Sequence, residues 1–150
     1  MKIKLFQLGL VTFLLFFVSA TASAEQVRQA TLANFVGDVM IRQDGGEWKP
    51  ATPGVIMKIN DEVKTSSGAT AEVLLDNGAT GSVKIHEKSQ FKIDIMDEDR
   101  ATGDKVTYLN LALGKILIQV QKLQGDSKFE VRTPTSTTGV RGTVFEVSVE

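Results

Sequence analysis

The sequence predicts one all-β domain, an antiparallel-rich β-sandwich or β-roll of prism-like outline, and three observations carry that prediction. Apolar residues recur at every second position through the body of the chain, the period of a half-buried strand. Turn-forming residues interrupt them roughly every 8–12 residues, the spacing of short antiparallel strands. No window beyond the first two dozen residues reads as a capped amphipathic helix. The composition agrees: 150 residues, 42% hydrophobic and 23% charged, describe a globular chain with room for about one domain.

Residues 1–24 read as a cleaved signal peptide ahead of that domain, which then occupies residues 25–150. Lys2 and Lys4 form a basic start, Leu5 to Val18 is a largely apolar stretch of 14 residues, and Ala22-Ser23-Ala24 supplies the small residues a signal peptidase requires. At 1.5 Å per residue the stretch reaches only about 21 Å, short of the ~30 Å needed to span a bilayer. Without the leader, fifteen basic residues face eighteen acidic ones, a formal charge of −3, which argues against a general affinity for nucleic acid. The expected location is periplasmic or secreted, with no integral membrane span after cleavage.

The strands follow in order. Val39 and Ile41 alternate with Met40 and Arg42 and stop at Asp44-Gly45-Gly46, a hairpin turn. Ala71, Val73 and Leu75 form the next stripe, ended by Asn77-Gly78, whose residue types favour a type I′ turn; Val83 and Ile85 resume beyond it. Further stripes are Phe91, Ile93 and Ile95, then Ile116, Ile118 and Val120, then Phe129 and Val131, and last Phe145, Val147 and Val149. Thr107 to Leu113 is the best remaining helix candidate, but Leu109, Leu111 and Leu113 fit alternation equally well. Met96 to Lys105, rich in Asp and Glu, reads as a long exposed loop. The final strand still alternates at Glu150, so it expects either an earlier strand as partner or a hairpin beyond it.

The exclusions are chemical. Without cysteine there is no thiolate metal site or cysteine nucleophile, and the lone His86 has no second histidine to share a metal or a catalytic task. His86 sits opposite the Val83 and Ile85 face and is expected to be solvent-facing. The acidic stretch Asp97, Glu98, Asp99 and Asp104 lacks the glycine and the distant glutamate of a calcium loop. It reads as a solvated loop, with calcium as the alternative. No cofactor and no catalytic set are expected.

One segment has a denser physical logic. Pro134 fixes φ and holds Thr133 extended, so Thr133-Pro134 marks a strand end. Gly139 and Gly142 flank Val140-Arg141, which suggests a close backbone crossing. Two readings of Arg141 stand: its five-donor fork staples the turn by binding carbonyls, or it receives a ligand carboxylate or phosphate. Trp48, in Gly46-Glu47-Trp48-Lys49-Pro50, has two readings as well: a cover over one end of the core, or a platform for a glycan or peptide.

These motifs resemble the FecR-type domain, over roughly Val36 to Glu150. The first half carries Gly54-Val55-Ile56-Met57-Lys58-Ile59-Asn60-Asp61-Glu62-Val63-Lys64-Thr65 and then Ala69 to Gly78; the second carries Leu113-Gly114 and Thr133-Pro134 leading into Gly139-Val140-Arg141-Gly142-Thr143-Val144-Phe145-Glu146-Val147. Asn60 replaces the family's usual glycine and tolerates the same left-handed backbone. The resemblance implies an exported all-β module, with Thr133, Pro134, Gly139, Val140, Arg141, Gly142, Thr143 and Phe145 as its structural signature and Trp48 and Arg141 as candidate partner contacts. It leads us to expect a non-catalytic protein-binding or scaffolding module that meets an envelope protein or a cell-wall component. The alternative it implies is an extracytoplasmic regulator of the sigma-regulator type, sensing the state of an iron-siderophore receptor through a membrane partner.

Overall fold

A computed structural model describes residues 27–150; the signal peptide expected over residues 1–24 lies outside the described residues. The predicted alternation becomes twelve strands: β1 (Ala30–Val36), β2 (Val39–Arg42), β3 (Lys49–Pro50), β4 (Val55–Met57), β5 (Glu62–Thr65), β6 (Thr70–Leu75), β7 (Gly81–Ile85), β8 (Gln90–Glu98), β9 (Lys105–Val120), β10 (Lys128–Arg132), β11 (Thr137–Gly139) and β12 (Val144–Val149). The class is all-β, as expected; among the described residues there is no α-helix, and so none long and apolar enough to cross a membrane.

The strands form one continuous sheet that curls into a half-barrel with two wings. One wing has the order β3-β2-β5-β8-β9, with β10 and β11 beyond; the other is β9-β7-β6-β1-β4, with β12 on the remaining side of β9. All pairings are antiparallel except that of β9 with β10. The inward stripes meet in one core, where Leu32, Val63, Val73, Val83, Ile85, Phe91, Ile93, Leu109, Leu111, Ile116 and Ile118 are fully buried. Each such side chain contributes about 1.5–3 kcal/mol through the apolar surface it removes from water.

The 16-residue β9 joins the wings. Its first half pairs with β8 and β10, its second half with β7 and β12. The change of wing happens at Gly114, whose φ of +93° suits glycine. A β-carbon there would lie 2.5 Å from the Ser89 Cα, so no other residue fits. Three further crossings between wings use the same device at Gly37, Gly68 and Lys88, all at positive φ. These corners stack: Ser66 N–H donates to the Asp38 carbonyl at 3.0 Å, Lys88 N–H to the Ser66 carbonyl at 3.3 Å, and Lys115 N–H to Ser89 Oγ at 2.9 Å. Thr65, buried in this stack, donates its hydroxyl to the His86 carbonyl at 2.6 Å and accepts the Ser89 amide at 3.0 Å.

Several local expectations change. The Thr107 to Leu113 segment is strand, and Leu113 is 49% exposed because it precedes the Gly114 corner. A bulge between Ile93 and Ile95 moves Ile95 off the inward stripe and places Met96, 4% exposed, in the core. The loop expected from Met96 shrinks accordingly, because β8 runs to Glu98 and β9 begins at Lys105. Asp44-Gly45 is the expected tight turn, both residues at positive φ and Gly46 N–H bound to the Gln43 carbonyl at 2.9 Å. Asn77-Gly78 is instead part of a wider left-handed turn that begins at Asp76, φ +50°, since Asp76 is engaged elsewhere.

Candidate interaction surface

That engagement is an arginine just ahead of the first strand. Arg28, 7% exposed, donates from Nε and Nη2 to the Asp76 carboxylate at 3.0 and 2.7 Å, and from Nη1 to the carbonyls of Asp97 and Val106 at 2.8 and 3.0 Å. Nη2 also reaches the hydroxyls of Thr80 at 3.3 Å and Thr107 at 2.9 Å. Burial opposes ionisation of Asp76, but hydrogen bonds from Arg28 and Thr80 and the charges of Arg28 and Lys105 outweigh it and hold the carboxyl below its ordinary range. Arg28 thereby ties the N-terminal segment to the β6–β7 turn and to both strands of the β8–β9 hairpin. Nothing local in the sequence marks it, because its partners lie 48 to 79 positions away.

The signature segment sits at the other flank of β9. Thr133-Pro134-Thr135-Ser136 closes a tight turn, with Thr133 N–H bound to the Ser136 carbonyl at 2.9 Å and Ser136 N–H to Thr133 Oγ1 at 3.0 Å. Gly139 ends β11, Val140 is buried and gives its N–H to the Phe129 carbonyl at 2.9 Å, and the Thr143 carbonyl accepts Val120 N–H at 2.9 Å. Gly142, at φ +60°, packs so closely that a β-carbon would come 3.1 Å from the Lys122 Cα. Phe145 is half-buried against the core.

Arg141 is exposed and takes part in no hydrogen bond or ion pair described here. The stapling reading therefore loses its support: Val140, Gly142, Thr143 and the Thr133 turn hold the segment, while the guanidinium stands in water. Trp48 matches neither of its readings fully. It is half-buried, and the Arg42 guanidinium lies over its ring at 4.7 Å while also pairing with Glu62. At the far side of the same wing Arg132 covers Tyr108 at 4.2 Å and pairs with Glu130 at 3.3 Å. The register places Arg42, Glu62, Lys92, Asn110 and Arg132 side by side across five strands.

Two weaker candidates have structural duties. His86 is not solvent-facing as expected. It lies in the corner stack, half-buried, its N–H bound to the Lys115 carbonyl at 2.9 Å and its Nε2 enclosed without a partner. Asp99 Oδ1 caps its own turn by accepting Ala101 N–H at 2.7 Å and Thr102 N–H at 3.2 Å, and Asp104 Oδ1 accepts Asp126 N–H at 2.9 Å. Among the described residues no three His, Asp or Glu side chains gather in a way that could hold a metal.

Among the described residues the longest strand paired on one side only is β12. Among the described residues it pairs, along Val144 to Val149, with β9 alone. Because the Thr143 carbonyl faces β9, antiparallel alternation turns the N–H and C=O groups of Val144, Glu146 and Ser148 away from it. Val144 is 57% exposed, and Phe145, Val147 and Val149 are only half-covered.

Residues 61–150 match the family model described as FecR protein. No curated protein and no solved structure matches the chain. The matched span opens at Asp61, whose buried carboxylate accepts the amides of Asp44 at 3.0 Å and Lys58 at 2.9 Å and so locks two turns together. It runs through the Gly114 corner to the signature and β12, and on that extent the chain belongs to the FecR family.

Proposed function

We propose that the protein is an exported, non-catalytic module that binds another envelope protein by strand addition to β12. FecR-family domains are extracytoplasmic and regulatory, which supports a role exerted through contact. The observation that carries the reading is the free side of β12: three residues with main-chain donors and acceptors turned outward, beside an exposed Val144 and the signature turn. Such an edge is the usual acceptor for an added strand.

A photo-cross-linking residue at Ser148 should trap a defined envelope partner, whereas one at Lys64 on the opposite wing should not. Glu146→Pro removes an outward amide but no bond to β9, so it should abolish the adduct while leaving the fold intact. Equal adducts from both positions, or an adduct insensitive to Glu146→Pro, would count against the reading. The family match favours a second, narrower reading, in which the partner belongs to a receptor and sigma-factor relay. Loss of the protein should then alter transcription only when the cognate ferric siderophore is supplied.

A further inference from the structure

We propose that a cleft beside the Arg28 cluster binds a phosphate group. The cleft, of about 140 Å³, lies between the start of β9 and the segment leading into β10. Its polar lining includes Lys105, Lys122 and Lys128, with the hydroxyls of Thr107 and Ser127 behind them, and no carboxylate lines it.

The charge is not already neutralised. Lys122 and Lys128 are exposed and make no ion pair described here. Lys105 Nζ lies 3.9 Å from Asp76, but that carboxylate is held at 2.7 Å by Arg28, so Arg28, Asp76 and Lys105 together remain net positive. Asp104, on the neighbouring turn, directs one oxygen to the Asp126 amide instead.

The hydroxyls add direction. Ser127 Oγ accepts Lys105 N–H at 2.9 Å and Thr107 Oγ1 accepts Arg28 Nη2 at 2.9 Å. Each hydroxyl therefore has one lone pair engaged and its own proton left to donate. Thr107 is 1% and Ser127 5% exposed, so both are held in place by packing. A lining made of ammonium groups and donating hydroxyls selects an anion.

Geometry narrows the class. The three lysines approach as point charges from separate segments, which suits a tetrahedral oxyanion; a planar carboxylate is matched better by an arginine fork. The volume is well below the roughly 300–1,000 Å³ of sites that enclose a whole small molecule, so the cleft takes the phosphate and leaves the rest of a ligand outside. Gly142 packs on Lys122, so the signature turn borders this wall and Arg141 is next to it in the chain. The inference does not depend on the docking role of β12.

Amide NMR spectra of the purified protein, titrated with inorganic phosphate at ionic strength held constant by sodium chloride, test it. The amides of Thr107, Lys122 and Ser127 should shift saturably, and Lys122→Gln/Lys128→Gln should weaken binding at least tenfold without changing the melting temperature. The control Lys64→Gln/Lys84→Gln should bind as the parent does. Chloride giving the same shifts, the double variant binding unchanged, or no saturable response would overturn the proposal. Sedimentation with phosphatidylglycerol vesicles separates the sources: co-sedimentation displaced by inorganic phosphate identifies a lipid headgroup, and its absence alongside phosphate binding identifies a soluble phosphate.

Discussion

Two arginines on either side of β9 have opposite circumstances. Arg28 is buried and makes six hydrogen bonds to five residues; Arg141 is exposed and makes none described here. The sequence motif draws attention to Arg141, yet it is Arg28 that is tied to the β6–β7 turn and to both strands of the β8–β9 hairpin. The contrast extends to their surroundings. Around Arg28 and along the stacked corners, hydrogen bonds link segments distant in sequence, with His86 Nε2 the exception left without a partner, whereas β12 and the signature turn leave donors and acceptors facing water. The closed region holds the shape, and the open region is where a partner can be met.

Stability measurements can break this comparison. Arg28→Met should have the largest effect, about 3–5 kcal/mol, because it leaves Asp76 charged and half-enclosed without its main partner. Thermal melting should show a fall of more than ~10 °C. Gly114→Ala should follow at about 2–4 kcal/mol, since the added carbon meets Ser89 at a backbone angle that favours glycine. Thr65→Val should lose about 1–3 kcal/mol by leaving the His86 carbonyl and Ser89 amide unmatched. At the other extreme, Arg141→Ala should change stability by no more than ~0.5 kcal/mol. An Arg141→Ala loss as large as that of Arg28→Met would erase the distinction between the two regions.

Acid sharpens the same point. The carboxyl of Asp76 titrates lower in the folded protein than in the unfolded chain, where it is near ~3.9. Its contribution is therefore fully present above that unfolded value and is lost as pH falls through the folded one. Urea denaturation between pH 5 and 2 should show this loss, and Asp76→Asn should flatten the dependence over the same interval.

Much of the wall of the fold was legible in the chain. Ala71, Val73 and Leu75, or Ile116, Ile118 and Val120, alternate because one face of each strand is buried, and period two is visible without knowing the partner strand. The Asp44-Gly45 turn was legible for a similar reason, since its backbone demands specific residues. The position of Ile95 was not, because a bulge is decided by the register against β9. Lys88 at a corner was equally hidden, as nothing in its type announces a positive φ. Of the interaction surface, the signature residues could be located but the exposure of Arg141 could not, since that depends on Lys122 and Phe129 arriving from elsewhere. The lysine cleft was invisible, being assembled from β9 and the approach to β10.

The sharing of β9 by both wings has a consequence for how the molecule comes into being. β7 can pair with β6 and β8 with β5 as they emerge, but the outer sides of β7 and β8 stay unpaired until residues 105–120 exist, and every pairing of β10 and β12 with the body of the fold runs through that same strand. A chain released from its N-terminus onward must hold the first eight strands as an unfinished assembly, with a long open margin that could recruit a neighbouring copy. Completion then arrives late and all at once, so the period before residue 120 emerges is the one in which this protein most needs protection from itself.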